Sequence, residues 1–511
     1  MSRGLATLLA DADLLPAAGS DGIEQMHVHV QGIMLDSRRI RPGEMFIALP
    51  GLLQDGRAFI PEAVARGAAV ICVDGTVTSA DREAAAGVPI IGIDDLATVA
   101  GCLASAYYDD PSRALKVLGV TGTNGKTSCS HHLAEMLQRL GGSAGICGTL
   151  GNGFPGQLRS TGLTTADAVS LQRTLAWMRD AGANWVAMEV SSHALDQNRV
   201  AGISFSGALF TNLSRDHLDY HGSMNAYAES KRQLFLTPGL DVAVLNRDDA
   251  YGRALMERVP TPLDVFDFSL SDSAAAVHLT TFARDEQGAH ASVASPWGKG
   301  ELHTRLLGDF AVSNLLGCVT LLGGLGLPFS EVLAAADVTP VSGRMEPFAH
   351  PGGITLVVDY AHPPDALAKA LAALHECFSG EVLCVFGCGG ERDPGKRPEM
   401  GREAVAAAGF VVITDDNPRA EDGDAIVRDI LAGIPAGSAV AVERDRRRAI
   451  ELALAQARPG DVVLIAGKGH ENYQDGPTGR VHYSDLETAA ELTRVAPAQA
   501  GFGPSQSRGG V

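Results

Sequence analysis

The chain has 511 residues, 45% of them apolar, 20% charged and 5% aromatic; since one core organises roughly 100 to 200 residues, this excludes a single domain as well as wholesale disorder and fibrous repeats. With 41 Lys+Arg against 60 Asp+Glu the formal charge is −19, which repels a polyanionic backbone and argues against a nucleic-acid coat or a membrane-surface protein. Any bound phosphate must then be held by a local site.

In chain order, Met1 to Asp13 carries one Arg, a short apolar run and then acids, with no long apolar core of a leader and no transmembrane stretch. The eight cysteines, Cys72, Cys102, Cys129, Cys147, Cys318, Cys377, Cys384 and Cys388, show no CxxC pair and no zinc-type spacing. Reduced, mostly buried thiols are expected, and with them a cytoplasmic protein. Short β-rich runs alternate with Ala/Leu-rich helical stretches, the pattern of βαβ units, so the fold class is α/β with parallel sheets. A first block, residues 1–110, holds a strand over Met45 to Leu49, a helix near Pro61 to Gly67 and a strand over Ala69 to Val73. Asp109-Asp-Pro-Ser112 reads as a turn into a new domain. The second block, 111–344, has strands over Leu115 to Val120, Trp185 to Val190 and Val242 to Asn246, and its Thr, Ser and His-rich middle, Pro262 to His303, is expected to be antiparallel. A third block, 345–495, repeats the signal at Thr355 to Asp359, Val382 to Phe386, Phe410 to Thr414 and Val462 to Ala466. Ligands of open parallel sheets sit outside the carboxyl ends of strands, so the polar residues that follow these runs are where chemistry belongs. Residues 496–511, rich in Gly, Ser, Pro and Gln, are expected to form a disordered tail.

Gly119-Val-Thr-Gly-Thr-Asn-Gly-Lys-Thr127 follows an apolar strand and opens a helix through Leu140. This is the setting of a phosphate-binding loop. Gly122, Thr123, Asn124 and Gly125 let backbone N–H groups face a phosphate at the helix N-terminus, Lys126 neutralises terminal phosphates and Thr127 offers a Mg²⁺ ligand. Val120 stands where the strict Walker pattern has its first Gly, leaving a chance Gly-rich turn as the bland alternative.

With this loop, the chain also carries Glu189-Val-Ser-Ser-His193, Asp216-His-Leu-Asp-Tyr-His-Gly222, Gly343-Arg-Met-Glu346, Asp359-Tyr-Ala-His362, Asp416-Asn-Pro-Arg419 and Gly467-Lys-Gly-His-Glu471. In this order and spacing they resemble the Mur ligases, the ATP-dependent amide-forming enzymes of peptidoglycan assembly, over nearly the whole chain. The match is to members that add the third residue to UDP-N-acetylmuramoyl-L-Ala-D-Glu. The resemblance implies three domains: a UDP-sugar-binding domain, a P-loop-type parallel-sheet ATPase core and a Rossmann-like C-terminal domain. It also implies ATP and Mg²⁺, closure around three small-molecule substrates, a monomer, and no nucleic-acid or membrane partner.

Joining a carboxylate to an amine requires activation, and the family solution is to phosphorylate the D-Glu side chain and let the amine displace phosphate. The resemblance places Lys126, Lys231, Glu189 and His217 in the catalytic set. Thr127 and Glu189 offer hard oxygens to one Mg²⁺, and His217 and Lys231, the latter as a carbamate, match a second. Taken alone, Glu189 could be a capping or ion-paired carboxylate, and Lys231 a free lysine on a solvated helix face. Asn314, Arg344, Asp359 and His362 match the nucleotide side, where Gly308-Asp-Phe-Ala-Val-Ser-Asn314 has Ala311 in place of a usual Asn; a satisfied helix-start amide is the bland reading of Asn314. Leu35 and Ser37 match the uracil side, and Thr164, Thr165, Ser191, Gln197 and Arg199 the muramoyl peptide. Arg392, Asp416, Asn417, Pro418, Arg419, Gly467 and Glu471 match an amino-acid pocket of the diaminopimelate-adding type, with Arg419 gripping the distal carboxylate, Glu471 the distal ammonium and Arg392 the carboxylate near the attacking amine. An ordinary Pro turn is the bland reading of Asp416 to Arg419. Two rivals remain open: a related ligase such as folylpolyglutamate synthetase, disfavoured by the Leu35-Asp-Ser-Arg38 and Asp416 to Arg419 segments, and a nucleotide-switched binding protein, disfavoured by Lys126, Glu189, His217 and Lys231 together.

Overall fold

The computed structural model describes residues 2–17, 20–22, 27–51, 54–260 and 262–494; the expected tail, 496–511, lies outside them. The chain forms two compact units: one of Met1–Ala283, Ala289–Arg305 and Asp309–Thr339, the other built on the chain from Pro340 onward with the segments Arg284–Gly288 and Leu306–Gly308.

The first unit contains a four-stranded parallel sheet of Ile33–Met34, Met45–Ala48, Val70–Asp74 and Ile90–Ile93, paired in that order. Its strands are apolar on both faces because successive side chains point to opposite cores. Met45, Ile47, Val70 and Cys72 join Leu5, Leu8, Leu103 and Ala104 on one face. Phe46, Ala48, Ile71 and Val73 meet Ile60, Ala63 and Ala85 on the other. Asp109 and Asp110 take the left-handed conformation, with φ of 60° and 43°, and Pro111 then opens a single helical turn, Pro111–Ala114, so the expected turn is present and ends in a helix.

The same unit carries an eleven-stranded sheet. At its heart Lys116–Thr121 is flanked by Trp185–Glu189 and Phe205–Phe210, both parallel to it. The helix Lys126–Arg139 follows directly. Parallel pairing extends further than composition suggested. Asp264–Ser269 pairs parallel with Val242–Asn246, and Val277–Asp285 begins parallel to it. The helix Ala250–Met256 supplies the crossover that a parallel pair needs. Antiparallel pairing appears between Gly288–Ser295 and Gly298–Thr304.

The second unit is built on a six-stranded sheet ordered Glu346–His350, Ile354–Asp359, Val462–Ala466, Val382–Phe386, Phe410–Ile413 and Val440–Val442. The first strand is antiparallel and the rest parallel. Apolar cores cover both faces, the layering of an α/β parallel sheet that the strand pattern predicts and that the resemblance describes as Rossmann-like. All eight cysteines are free thiols, Cys102 half-buried and the others buried. No helix among the described residues is long and apolar enough to cross a membrane.

Candidate functional site

In the first unit the loop after Lys116–Thr121 is shaped by two glycines. Gly122 and Gly125 have φ of 152° and 88°. A Cβ on Gly122 would stand 1.9 Å from Thr211 Oγ1, and one on Gly125 2.5 Å from Asn314 Oδ1, so neither position admits a side chain. The loop is pinned from behind: Thr123 N donates to Asn212 O at 2.8 Å, Asn124 N to Asn212 Oδ1 at 3.0 Å and Thr211 Oγ1 to Asn124 O at 2.6 Å. The N–H groups that open Lys126–Arg139 face outward as helix-start donors, a concentration of positive potential. Asn314, buried on the helix Asp309–Gly324, packs its amide on Gly125. Ala311 is half-buried on that helix and offers only a methyl group.

Sheet register brings Glu189 to this loop, because Glu189 lies opposite Val120. The carboxylate is 1% exposed. Its Oε1 accepts from Thr149 N at 2.8 Å, and its Oε2 from Thr127 Oγ1 and Thr149 Oγ1, each at 3.0 Å. The Glu189 carboxylate thus serves the hydroxyls of Thr127 and Thr149 and the Thr149 amide rather than capping a helix. Thr149, which sequence reasoning missed, is half of its setting. It lies just past the strand Ala144–Gly148, and nothing in its neighbourhood marks it.

Lys231, on Met224–Arg232, is 1% exposed, so the solvated-face alternative fails. Its Nζ donates to Gly122 O at 2.9 Å, the same oxygen that Lys126 Nζ reaches at 2.8 Å while also donating to Thr123 O at 2.8 Å. Burial, with Lys126 beside it, drives the Lys231 amine well below its usual range, and Asp216 only partly opposes this. The Lys231 Nζ stands 4.2 Å from the Tyr227 ring centre, and Tyr227 Oη is 3.1 Å from Thr123 Oγ1. His217 takes the left-handed conformation at φ 52°, and burial lowers its imidazole against the pull of Asp216, 3.4 Å away. His193 packs edge-on to it at 4.8 Å, and burial brings His193 down to about 4.

Lys126, Lys231 and His217 line one cleft of about 230 Å³ together with Thr164, Thr165, Ser191 and Arg199. Thr165 Oγ1 donates to Glu189 O at 2.8 Å, and Ser191 caps the short helix Ser192–Asp196. Arg199 donates to Thr165 O at 3.0 Å and holds Gln197 Oε1 with two N–H groups at 3.0 and 2.6 Å. Leu35 and Ser37 are not among the residues lining this cleft; Ser37 Oγ donates to Glu62 Oε2 at 2.6 Å.

In the second unit, Asp359 ends its strand half-buried, accepting from Met345 N and Ala361 N at 2.8 Å each. Burial raises its carboxyl despite Arg344 nearby. The Arg344 guanidinium lies 4.3 Å from the Tyr360 ring centre, while His362 is exposed with Nδ1 2.9 Å from Tyr360 O. Asp416 to Arg419 and Gly467 to Glu471 follow the ends of two strands, Phe410–Ile413 and Val462–Ala466, that flank Val382–Phe386 on either side. Asn417 Nδ2 donates to Glu471 Oε2 at 2.9 Å. Gly467, at φ 116°, donates its N–H to Asp359 O at 3.1 Å. Arg419, at φ 54°, donates from Nη1 to Gly390 O and has no carboxylate partner among the described residues. Arg392 is exposed and likewise unpaired there. Pro418 is buried and sets the turn. Lys468, missed in the sequence although it sits inside a quoted motif, is 0% exposed and reaches Asp416, Asn417 and Glu471 together.

The chain matches three family profiles: Mur ligase family, catalytic domain, over residues 29–108; Mur ligase middle domain over 120–322; and Mur ligase, glutamate ligase domain, over 343–469. It is 47% identical over 476 residues to the UDP-N-acetylmuramoyl-L-alanyl-D-glutamate--2,6-diaminopimelate ligase of Chromobacterium violaceum, covering 92% of this chain and 95% of that one. The ligase of the same name from Neisseria meningitidis serogroup B is 48% identical over 467 residues, covering 90% and 94%. A solved structure of a UDP-N-acetylmuramoyl-L-alanyl-D-glutamate--2,6-diaminopimelate ligase superposes with a TM-score of 0.68 at 34% identity, covering 91% of this chain and 94% of that one.

Proposed function

The chain belongs to the Mur ligase family, and from that premise we propose that it ligates meso-2,6-diaminopimelate to the D-Glu side-chain carboxylate of UDP-N-acetylmuramoyl-L-Ala-D-Glu, in the cytoplasm and as a monomer. It is an ATP-dependent amide-forming ligase of peptidoglycan precursor synthesis. The observation that carries the reading is the convergence of Lys126, Glu189, His217 and Lys231 beside one phosphate loop, with the guanidiniums of Arg392 and Arg419 in the second unit meeting no carboxylate among the described residues.

The first step must bring an anionic carboxylate against an anionic γ-phosphate, so positive charge has to offset the repulsion. The helix-start N–H groups and Lys126 provide it. To reach a phosphate, Lys126 leaves the carbonyls of Gly122 and Thr123 that it now caps. The donor set beside it fits Mg²⁺: the Glu189 carboxylate and the Thr127 hydroxyl are hard oxygens within 3.0 Å of each other. Thr127 and Glu189 would hold one ion, and His217 with Lys231 a second; bound there, the metal would supply charge neutralisation at the transferred phosphoryl group. Burial and the neighbouring Lys126 push the Lys231 amine well below its usual range, which favours the unprotonated form whose lone pair CO₂ requires, and carbamylation would turn a cation hostile to metal into an oxygen donor. Arg199, already fixed by Gln197 and Thr165, suits a substrate carboxylate or diphosphate. Asn314, Arg344, Asp359 and His362 take the nucleoside side of ATP, Leu35 and Ser37 the uracil. In the second unit, Arg392 and Arg419 suit the two carboxylates of diaminopimelate and Glu471 its distal ammonium.

The test is product analysis with UDP-N-acetylmuramoyl-L-Ala-D-Glu, ATP, Mg²⁺ and either meso-diaminopimelate or lysine. We expect the UDP-tripeptide, ADP and phosphate with diaminopimelate, and no turnover from folded Lys126→Ala. Efficient lysine addition by the wild-type enzyme would overturn the substrate assignment while leaving the ligase reading intact.

A further inference from the structure

Lys468 follows the strand Val462–Ala466 by two residues and is 0% exposed. An ammonium has three N–H donors, and here three acceptors account for them: Asn417 Oδ1 at 3.1 Å, Glu471 Oε2 at 3.1 Å and Asp416 Oδ1 at 3.4 Å. No donor is left for a substrate. The Tyr473 ring closes the remaining side with its centre 5.5 Å from Nζ.

All three acceptors belong to the segments read above as the amino-acid pocket. A buried cation gains little net stability from its partners, and an apolar side chain of similar volume serves a core as well. Its presence therefore calls for an explanation in what it holds. It holds orientation. Asn417 Oδ1 accepts from Lys468 and from Asp475 N, at 3.1 and 2.9 Å, which fixes the amide so that Nδ2 points to Glu471 Oε2 at 2.9 Å. Glu471 Oε2 thus receives two donors, while Oε1 has none among the described residues and is presented for a ligand. Lys468 also offsets one of the two carboxylates, Asp416 and Glu471, that face it at 3.4 and 3.1 Å. That leaves these three side chains with one net negative charge for one incoming ammonium.

We propose that Lys468 is a positioning residue for the amine substrate: it touches no reactant, and by holding Glu471 Oε2 and the Asn417 amide it presents Glu471 Oε1 to the distal ammonium of the diamino acid. This rests on the substrate reading above.

The test is steady-state kinetics of the full chain with each substrate varied in turn. Lys468→Met is expected to raise KM for meso-diaminopimelate by ~10- to 100-fold, as loss of a supporting contact behind a ligand commonly does. KM for ATP should stay within about threefold, and kcat should fall less than KM rises. Since Lys468 acts through Glu471, adding Lys468→Met to Glu471→Gln should cost no more than about a further threefold, whereas independent effects multiply. Lys468→Gln, whose amide can still donate to two of the acceptors, repeats the measurement if the Met variant does not fold. A KM for diaminopimelate within about threefold of wild type, a parallel rise in KM for ATP, full multiplicativity in the double variant, or failure of both variants to fold would each overturn the proposal. If wild type does not use diaminopimelate at all, the substrate reading fails first, and the two failures are told apart by the wild-type assay.

Discussion

Two lysines donating to one carbonyl oxygen, Gly122 O, are the most informative detail at the scale of single residues. Two ammoniums so close, one of them buried, repel at low dielectric, and burial together with that repulsion pushes the Lys231 amine well below its usual range. If its role is to present an anionic oxygen after carbamylation, then Lys231→Ala should be nearly inactive, and short-chain carboxylates such as formate or acetate should restore part of the activity in a dose-dependent way. Activity of the alanine variant at the wild-type level would remove Lys231 from the metal site. Much of this was legible in the sequence as residue identity, since Lys126, Glu189, His217 and Lys231 stand within quoted motifs, and three of them line one cleft. Partnership was not legible. Thr149 holds Glu189 with two groups, and Lys468 holds three pocket residues, because hydrogen bonds made across strand ends leave no periodic trace in a chain.

Elements explain why these groups meet. Lys116–Thr121 and Trp185–Glu189 lie in parallel register with Val120 beside Glu189, so a one-residue slip would turn the carboxylate to the opposite face of the sheet. The fully buried strands were readable as continuous apolar runs. The short pieces Gly151–Phe154 and Gln157–Arg159 were not, since they lack both length and β-branched residues. Composition also misjudged the direction of Asp264–Ser269, because strand direction is set by the connecting helix rather than by Thr and Ser content. The helix behind the phosphate loop makes its own prediction. His132 on Lys126–Arg139 is 2% exposed with neither ring nitrogen hydrogen-bonded, and burial, with His131 nearby, brings its imidazole down to about 3. Between its ordinary value and that one the unfolded chain binds a proton that the folded chain refuses. The sign follows: stability is full above about pH 6.5 and is lost as pH falls toward 3, by roughly 3 kcal/mol at pH 4. Denaturant unfolding at a series of pH values should show a shallower acid loss in His132→Leu than in wild type. Equal slopes would show that the ring takes up its proton in the folded state.

At the scale of the whole molecule, the proposed chemistry divides between two compact units. The phosphate loop, Glu189, Lys231 and Arg199 lie in the first, and the residues proposed for the diamino acid, with Arg419 free of any carboxylate partner among the described residues, lie in the second. Activation of the dipeptide carboxylate and capture of the acyl phosphate by an amine should therefore be separable by mutation. Arg419→Ala removes one guanidinium from the second unit and leaves the phosphate loop untouched. With ATP labelled with ¹⁸O in the β,γ bridge and UDP-N-acetylmuramoyl-L-Ala-D-Glu but no amine, the variant should scramble the label at a rate within about threefold of wild type. With diaminopimelate present, it should lose most ligation through a raised KM. Selectivity should move as well: a guanidinium left without its anion costs far more than a lost surface contact. Wild type should therefore prefer diaminopimelate over lysine by ~10³ or more if about 4 kcal/mol separates them, and the ratio should narrow in the variant even if lysine remains poor. Loss of isotope exchange in a folded Arg419→Ala would show that the guanidinium serves activation too, and unchanged discrimination would remove it from the distal-carboxylate site.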